Sequence, residues 1–123
     1  EAALEYLEGI TVEAVAAHDR ALSERLLAGL RDMPSVVLVG LYTAEGRVGV
    51  FSLDFPGKDN AEIAARLEEE FGILTRCGLH CAPSAHRTLG TFPRGTVRLS
   101  LGWFNTEADI DRALRAIKAV SAG

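Results

Sequence analysis

Apolar residues recur along the chain with two alternating periods, one helical and one strand-like. After Thr11, a candidate N-cap, helical spacing predicts a helix that ends near Met33, because a proline follows that residue. A second helix is predicted after Asp59 and ends at Gly72, and a third begins after Thr106. The predicted buried stripes of these helices are Val12, Val15, Leu22, Leu26 and Leu30; Ile63, Leu67 and Phe71; and Ile110, Leu114, Ile117 and Val120.

Four segments between these helices have the pattern of strands. Val36–Leu41 and Val48–Phe55 predict an antiparallel hairpin, with the aromatic positions of the second run on one face. Ile73–Arg76 is a short strand candidate, and Val97–Trp103 alternates so that Arg98 lies opposite the apolar face. The sum predicts an α+β fold, a small mixed or antiparallel sheet of three to four strands with helices mainly on one face.

Two parts of the chain lack such periodicity. Gly78–Gly95 contains two prolines, two histidines and a cysteine, and we expect a structured loop there. The first residues have helical composition but no start signal and no initial Met. We therefore predict that the chain is a piece of a longer protein, that residues 1–10 are the tail of a helix, and that residues 11–123 form one small domain.

Composition excludes several classes of protein. The chain has 123 residues, 48% hydrophobic and 24% charged, which is typical of one folded domain and not of a disordered segment. No apolar run is long enough to cross a membrane. The net charge of −4 argues against a nucleic-acid binder. Two cysteines are too few for a disulfide scaffold, so we expect a cytoplasmic protein.

The acidic residues are distributed unevenly. All 17 Asp and Glu residues lie outside the segment from Phe71 to Thr106, which holds four arginines and two histidines. Carboxylates would compete for the guanidinium groups, so this segment is a candidate site for an anionic ligand. The alternative is a basic surface loop that pairs with acids elsewhere. Arg98, held by a strand, presents a rigid fork suited to a carboxylate, unless it only faces solvent.

The block Arg76–Pro83 (RCGLHCAP), with His86 close behind, admits three interpretations. Cys77, Cys81, His80 and His86 could bind a metal, but four ligands within ten residues would be cramped, and we predict no metal site. A Cys77–Cys81 disulfide would be unusual in the cytosol. In the third interpretation Cys81 is a reactive thiol, because it follows a histidine in an arginine-rich segment that favours thiolate.

This third interpretation predicts that Cys81 reacts before Cys77, which we expect to be a buried small apolar residue. Limiting iodoacetamide near neutral pH, followed by peptide mass spectrometry, should label Cys81 first. Preferential labelling of Cys77 would overturn the assignment.

Three blocks in order carry a resemblance to a known family. Arg76–Pro83, then Gly95–Ser100 (GTVRLS), then Phe104–Glu107 (FNTE) with Asp109–Asp111 resemble the C-terminal small domain of cysteine desulfurases. These enzymes belong to the class V aminotransferases and have the fold type I architecture of pyridoxal-phosphate enzymes. The resemblance covers nearly the whole chain, and it implies the C-terminal small domain of that fold, with residues 1–10 as the tail of a helix from the missing large domain.

The resemblance implies a role for each matched residue. Cys81 matches the catalytic cysteine, which takes sulfur from L-cysteine to give alanine and an enzyme persulfide. Arg98 matches the arginine that binds the substrate carboxylate. Arg76 and His80 match motif residues that line or tune the substrate site. The sequence departs from many members at Leu79, where they have a second histidine, and at Cys77.

The resemblance also implies pyridoxal phosphate as cofactor of the full-length enzyme, a sulfur-acceptor protein and a homodimer. Lys58 and Lys118 are the only lysines of the chain, and neither lies in the family's Schiff-base context. We therefore predict that the fragment has no cofactor-binding residue, binds no pyridoxal phosphate and is inactive alone. The alternatives are a cofactor-free sulfur-relay or interaction module, or a class V aminotransferase or selenocysteine lyase with another substrate.

Overall fold

The computed structural model describes all residues, Glu1–Gly123, as five helices and four strands. The helices are α1 Ala2–Ile10, α2 Val12–Arg31, α3 Asn60–Phe71, α4 Pro83–Thr88 and α5 Glu107–Ala122. The strands are β1 Val37–Val39, β2 Val50–Asp54, β3 Arg76–Gly78 and β4 Thr96–Ser100.

Side-chain caps define where the three long helices begin. The Thr11 hydroxyl accepts a hydrogen bond from the Ala14 N–H (3.2 Å) at the start of α2. Asp59 accepts bonds from two backbone N–H groups at the start of α3. Thr106 and Asp109 form a reciprocal capping box at the start of α5. All three predicted caps are confirmed, because each satisfies N–H groups that the first helical turn leaves without partners.

The four strands form one antiparallel sheet in the order β1-β2-β4-β3. The predicted hairpin is confirmed as β1 and β2, and the predicted antiparallel sheet of up to four strands is confirmed as well. The strand ends differ from the prediction. β4 ends at Ser100 and not at Trp103, and β3 begins at Arg76, where the predicted strand was to end.

Helices α2, α3 and α5 cover one face of the sheet, as predicted. Phe51, Leu53 and Leu99 point from the sheet into the core and are at most 6% exposed. They pack with helix residues of the predicted stripes, namely Leu22, Leu26, Leu30, Ile63, Leu67, Ile110, Ile117 and Val120. Burying one such side chain contributes about 1.5–3 kcal/mol, so this single core holds the two layers together.

Two expectations about local structure were wrong. The predicted loop Gly78–Gly95 contains the helix α4, which is short and begins with Pro83, so it shows too few apolar positions for a helical period. Val12, which belongs to the predicted buried stripe of α2, is 68% exposed. His18, on the same helix, is half-buried. Its Nε2 lies 2.8 Å from the carbonyl oxygen of Asn105, and its ring meets that of Trp103 edge-on.

The N-terminal helix is separated from α2 at one residue. Thr11 has a φ of 66°, and α1 buries none of its residues. That α1 is the tail of a helix from a preceding domain, and that residues 11–123 are one small domain, remain predictions. No helix in the structure combines the length and the apolarity that crossing a bilayer requires.

Two carboxyl groups of α5 make the free energy of unfolding depend on pH in the acid range. A side-chain hydrogen bond from Arg25 lowers the pKa of Asp111 below its ordinary 3.8, and the Thr106 N–H lowers that of Asp109. A group whose pKa is lower in the folded than in the unfolded state stabilises the fold at pH values above its unfolded-state pKa. This stabilisation is lost as the pH falls through the folded-state pKa. We expect the urea concentration at the midpoint of unfolding to decrease as the pH is lowered below 3.8. Asp111→Asn should make this decrease with pH less steep. An equally steep dependence in the variant would contradict this.

Candidate functional site

The second face of the sheet carries two arginines side by side. The strand register places Val39, Ser52, Arg98 and Arg76 in one row across all four strands. Arg76 and Arg98 are directly opposite each other, and like charges in such a pair destabilise a sheet. Neither takes part in any of the four ion pairs of the chain. A pair of arginines without a carboxylate is the arrangement expected where an anion binds.

The other two arginines of the acid-free segment have partners. The Arg94 guanidinium donates to a carboxylate oxygen of Asp54 (2.8 Å), and Asp54 is only 8% exposed. Arg87 lies over the ring of Phe92, 4.5 Å from its centre. The sequence left open whether this segment binds a ligand or pairs with acids elsewhere. Arg94 follows the second interpretation, whereas Arg76 and Arg98 remain available to a ligand.

Cys81 lies in a tight turn just after β3. The Ala82 N–H donates to the Leu79 carbonyl (2.8 Å), which makes His80 and Cys81 the two central residues. Both have positive φ, 51° and 60°, as in a type I′ turn, which is usually built from Asn and Gly. Each non-glycine residue held there costs about 1–2 kcal/mol. Strain of this kind is typical of sites where function fixes the residue.

His80 connects this turn to the arginine pair. Its Nε2 lies 2.9 Å from the carbonyl oxygen of Arg76, at the edge of the sheet. Arg76, His80 and Cys81 therefore belong to one connected segment, and Arg98 stands opposite its first residue. The structure thus places Arg76, His80 and Cys81 on the segment at the β3 edge of the sheet, and Arg98 on the neighbouring inner strand β4, opposite Arg76.

The two cysteines are in different settings. Both are exposed and neither is in a disulfide, so the expectation that Cys77 is buried was wrong. Cys77 pairs with Val97 in the strand register, so alternation directs it away from the face that carries Arg76. The structure contains no group of three or more His, Cys, Asp or Glu side chains that could hold a metal ion. Cys77, Cys81, His80 and His86 therefore do not form a ligand cluster.

The site lies on open surface and not in a cavity. None of the clefts of the structure is lined by Cys81, Arg76 or Arg98; one of about 500 Å³ lies between α2 and the segment 44–50. Substrate sites of enzymes are usually concave and exclude water. Within this chain these residues therefore line no enclosed pocket.

Sequence reasoning missed the contacts made by the chain on either side of this turn. His86 and Thr91 are buried, and their side chains form a hydrogen bond. A Cβ on Gly95 would collide with the backbone of Gly78, so a glycine is required there. Gly78, which has a φ of 110°, and Gly95, which needs the close approach, were the available signal at the two ends of this segment.

Comparison with known proteins places the chain in a family. The family model for Aminotransferase class-V matches residues 1–113. A probable cysteine desulfurase of Mycolicibacterium paratuberculosis is 39% identical over 121 residues, which are 98% of this chain and 17% of the relative. One of Pseudomonas putida is 37% identical over 116 residues, 94% of this chain and 27% of the relative.

Solved structures agree with these sequences. The apo cysteine desulfurase from Thermococcus onnurineus NA1 superposes with a TM-score of 0.88 and 28% identity, over 97% of this chain and 29% of that one. The cysteine desulfurase CsdA from Escherichia coli gives 0.83 and 26%, over 97% of this chain and 28% of that one. The chain thus spans less than a third of the length of these relatives. It belongs to the class-V aminotransferase family, in which it matches a segment of the cysteine desulfurases.

Proposed function

We propose that this chain supplies the persulfide-forming cysteine, Cys81, and the carboxylate-binding arginine, Arg98, of a cysteine desulfurase. The observation that carries the proposal is the strained turn of Cys81 next to two arginines without carboxylate partners. The similarity to proteins named cysteine desulfurases supports the same activity, with L-cysteine as substrate.

Arg98 is the better placed of the two arginines for the substrate carboxylate. It lies in the middle of β4, between two neighbouring strands, and is half-buried. A guanidinium group held by a sheet offers two parallel N–H donors at fixed spacing, which match the two oxygens of a carboxylate. Arg76, more exposed and on the edge strand, adds a second positive charge beside it.

Cys81 would accept the sulfur atom. Its sulfur forms a bond to the sulfur of L-cysteine as the carbon–sulfur bond of the substrate breaks. The thiol and L-cysteine then become a persulfide and alanine, so atoms and electrons balance without an external oxidant. Cys81 is exposed at the tip of its turn, which suits both the attack and the later transfer of sulfur to an acceptor protein.

The cofactor of this family does not fit the residues of this chain. Class V cysteine desulfurases depend on pyridoxal phosphate, which such enzymes hold as a lysine imine. Lys58 lies beside Arg94 in a cleft at the start of α3, and Lys118 is exposed on α5, which packs on the opposite face of the sheet from Arg98. Cys81 lines none of the clefts of the structure, including the two that Lys58 lines. We infer that the lysine and the rest of the pocket belong to other parts of a longer protein.

The proposal extends to the oligomeric state, the compartment and the sulfur acceptor of the enzyme. We propose a homodimeric, cytoplasmic enzyme that passes its persulfide sulfur to an acceptor protein. The exposed turn of Cys81 supports the last point, since an acceptor thiol must reach the same sulfur atom.

Alanine formation tests the function. The longer protein that contains this chain, supplied with pyridoxal phosphate, L-cysteine and a reductant, is expected to form alanine and release sulfide. The 123-residue chain alone is expected to do neither and to retain no cofactor absorbance after gel filtration. Absence of alanine with the longer protein would refute the function. Alanine formed by the chain alone would refute the inference about the cofactor.

A further inference from the structure

The helix after the Cys81 turn buries a histidine that the sulfur chemistry leaves without a role. His86 is 6% exposed, and its Nδ1 lies 2.7 Å from the hydroxyl oxygen of Thr91, which is also 6% exposed. The carbonyl oxygen of His86 accepts hydrogen bonds from the N–H groups of Thr91 (2.9 Å) and Phe92 (3.1 Å). His86 and Thr91 therefore satisfy each other in the interior and fix the end of α4.

The opposite side of His86 meets the turn that carries Cys81. The His86 N–H donates to the carbonyl of Ala82 (3.2 Å), the residue that closes the turn. The rings of His86 and His80 have their centres 5.8 Å apart. Through His80, the contact extends to the carbonyl oxygen of Arg76. His86 thus lies between the Cys81 turn and Thr91 and contacts both.

The turn needs support of this kind. His80 and Cys81 both hold a conformation that residues with a side chain rarely adopt, and the turn has a single backbone hydrogen bond of its own, from Ala82 to Leu79. Such a conformation persists only where its surroundings determine it. Gly78, packed against Gly95, fixes the chain before the turn. The pair of His86 and Thr91 fixes the chain after it.

We propose that His86, oriented by Thr91, is a positioning residue that keeps the His80–Cys81 turn in its positive-φ conformation. It thereby fixes where Cys81 presents its sulfur. The consequence for sulfur transfer rests on the proposed function, whereas the effect on the turn does not.

Hydrogen exchange of the Ala82 amide measures closure of the turn directly, because that N–H makes the bond to Leu79. Thr91→Val keeps the shape of the side chain but leaves Nδ1 of His86 without a partner. We expect it to speed exchange at Ala82 by about tenfold, as loss of one buried hydrogen bond does. Thr91→Ser, which keeps the hydroxyl, should leave that rate nearly unchanged.

The amide of Leu26, buried in α2, reports global unfolding and serves as the internal reference. Its exchange should be the same in both variants. Equal acceleration at Leu26 and Ala82 would show a merely structural role, and no acceleration at Ala82 would show that the turn holds itself; either result overturns the proposal. His86→Phe, which removes both ring nitrogens, should reproduce the Thr91→Val result. A longer protein that forms no alanine would refute the proposed function and leave this measurement standing.

Discussion

Replacing Cys81 by serine in the longer protein is expected to lower alanine formation from L-cysteine by at least about a thousandfold, the scale on which loss of a nucleophile acts. A hydroxyl group of the same size cannot accept a sulfur atom as a persulfide. Because Cys81 is exposed and buries no apolar surface in the core, the free energy of unfolding should stay nearly constant. Single-turnover assays of alanine give the rate, and urea titration gives the stability.

The other cysteine of the chain is the matched control. Cys77 lies four residues earlier, is also exposed and points away from the arginine face. Cys77→Ser should retain most of the alanine formation. A large loss in Cys77→Ser with little loss in Cys81→Ser would transfer the nucleophilic role to Cys77.

Arg98→Lys is expected to lower kcat/KM for L-cysteine by about 10- to 100-fold in the longer protein, which corresponds to about 1.5–3 kcal/mol for a charged hydrogen bond. Lysine keeps the positive charge but loses the two-point fork, and Arg98→Ala should cost at least as much. Val97 and Leu99, the apolar neighbours in β4, are unchanged, so folding should be little affected.

Arg115→Lys is the control for this prediction. Arg115 is exposed on α5, on the helical side of the sheet, and it takes part in none of the ion pairs. Its replacement should leave kcat/KM unchanged. Wild-type steady-state kinetics in Arg98→Lys and Arg98→Ala would make Arg98 a surface residue and would remove the carboxylate site.

The parts of the fold that the sequence predicted are those encoded locally. The caps at Thr11, Asp59 and Thr106 and the apolar stripes after them lie within a few residues of the structure they determine. The hairpin of β1 and β2 was predicted for the same reason. The short helix α4 was missed, because six residues hold too little periodicity to distinguish a helix from a loop.

The candidate site shows where sequence reasoning ends. The motif around Cys81 and the alternation at Arg98 could be read along the chain. That Arg76 faces Arg98 depends on the register of two strands 20 residues apart in sequence, and that His86 and Thr91 support the turn depends on burial. The contacts of His18 could not be predicted for a similar reason, since Trp103 and Asn105, which it contacts, are distant in sequence.

The central claim is that sulfur arrives on Cys81, and the position of the persulfide tests it most directly. The longer protein, treated with L-cysteine and then alkylated without reductant, would be digested and its peptides fragmented in a mass spectrometer. Cys81 and Cys77 occur in the same segment, so the fragment series must separate them. We predict that the mass of one additional sulfur atom is found on Cys81 and is absent from Cys77. The additional sulfur on Cys77, or on neither residue while alanine accumulates, would contradict the account.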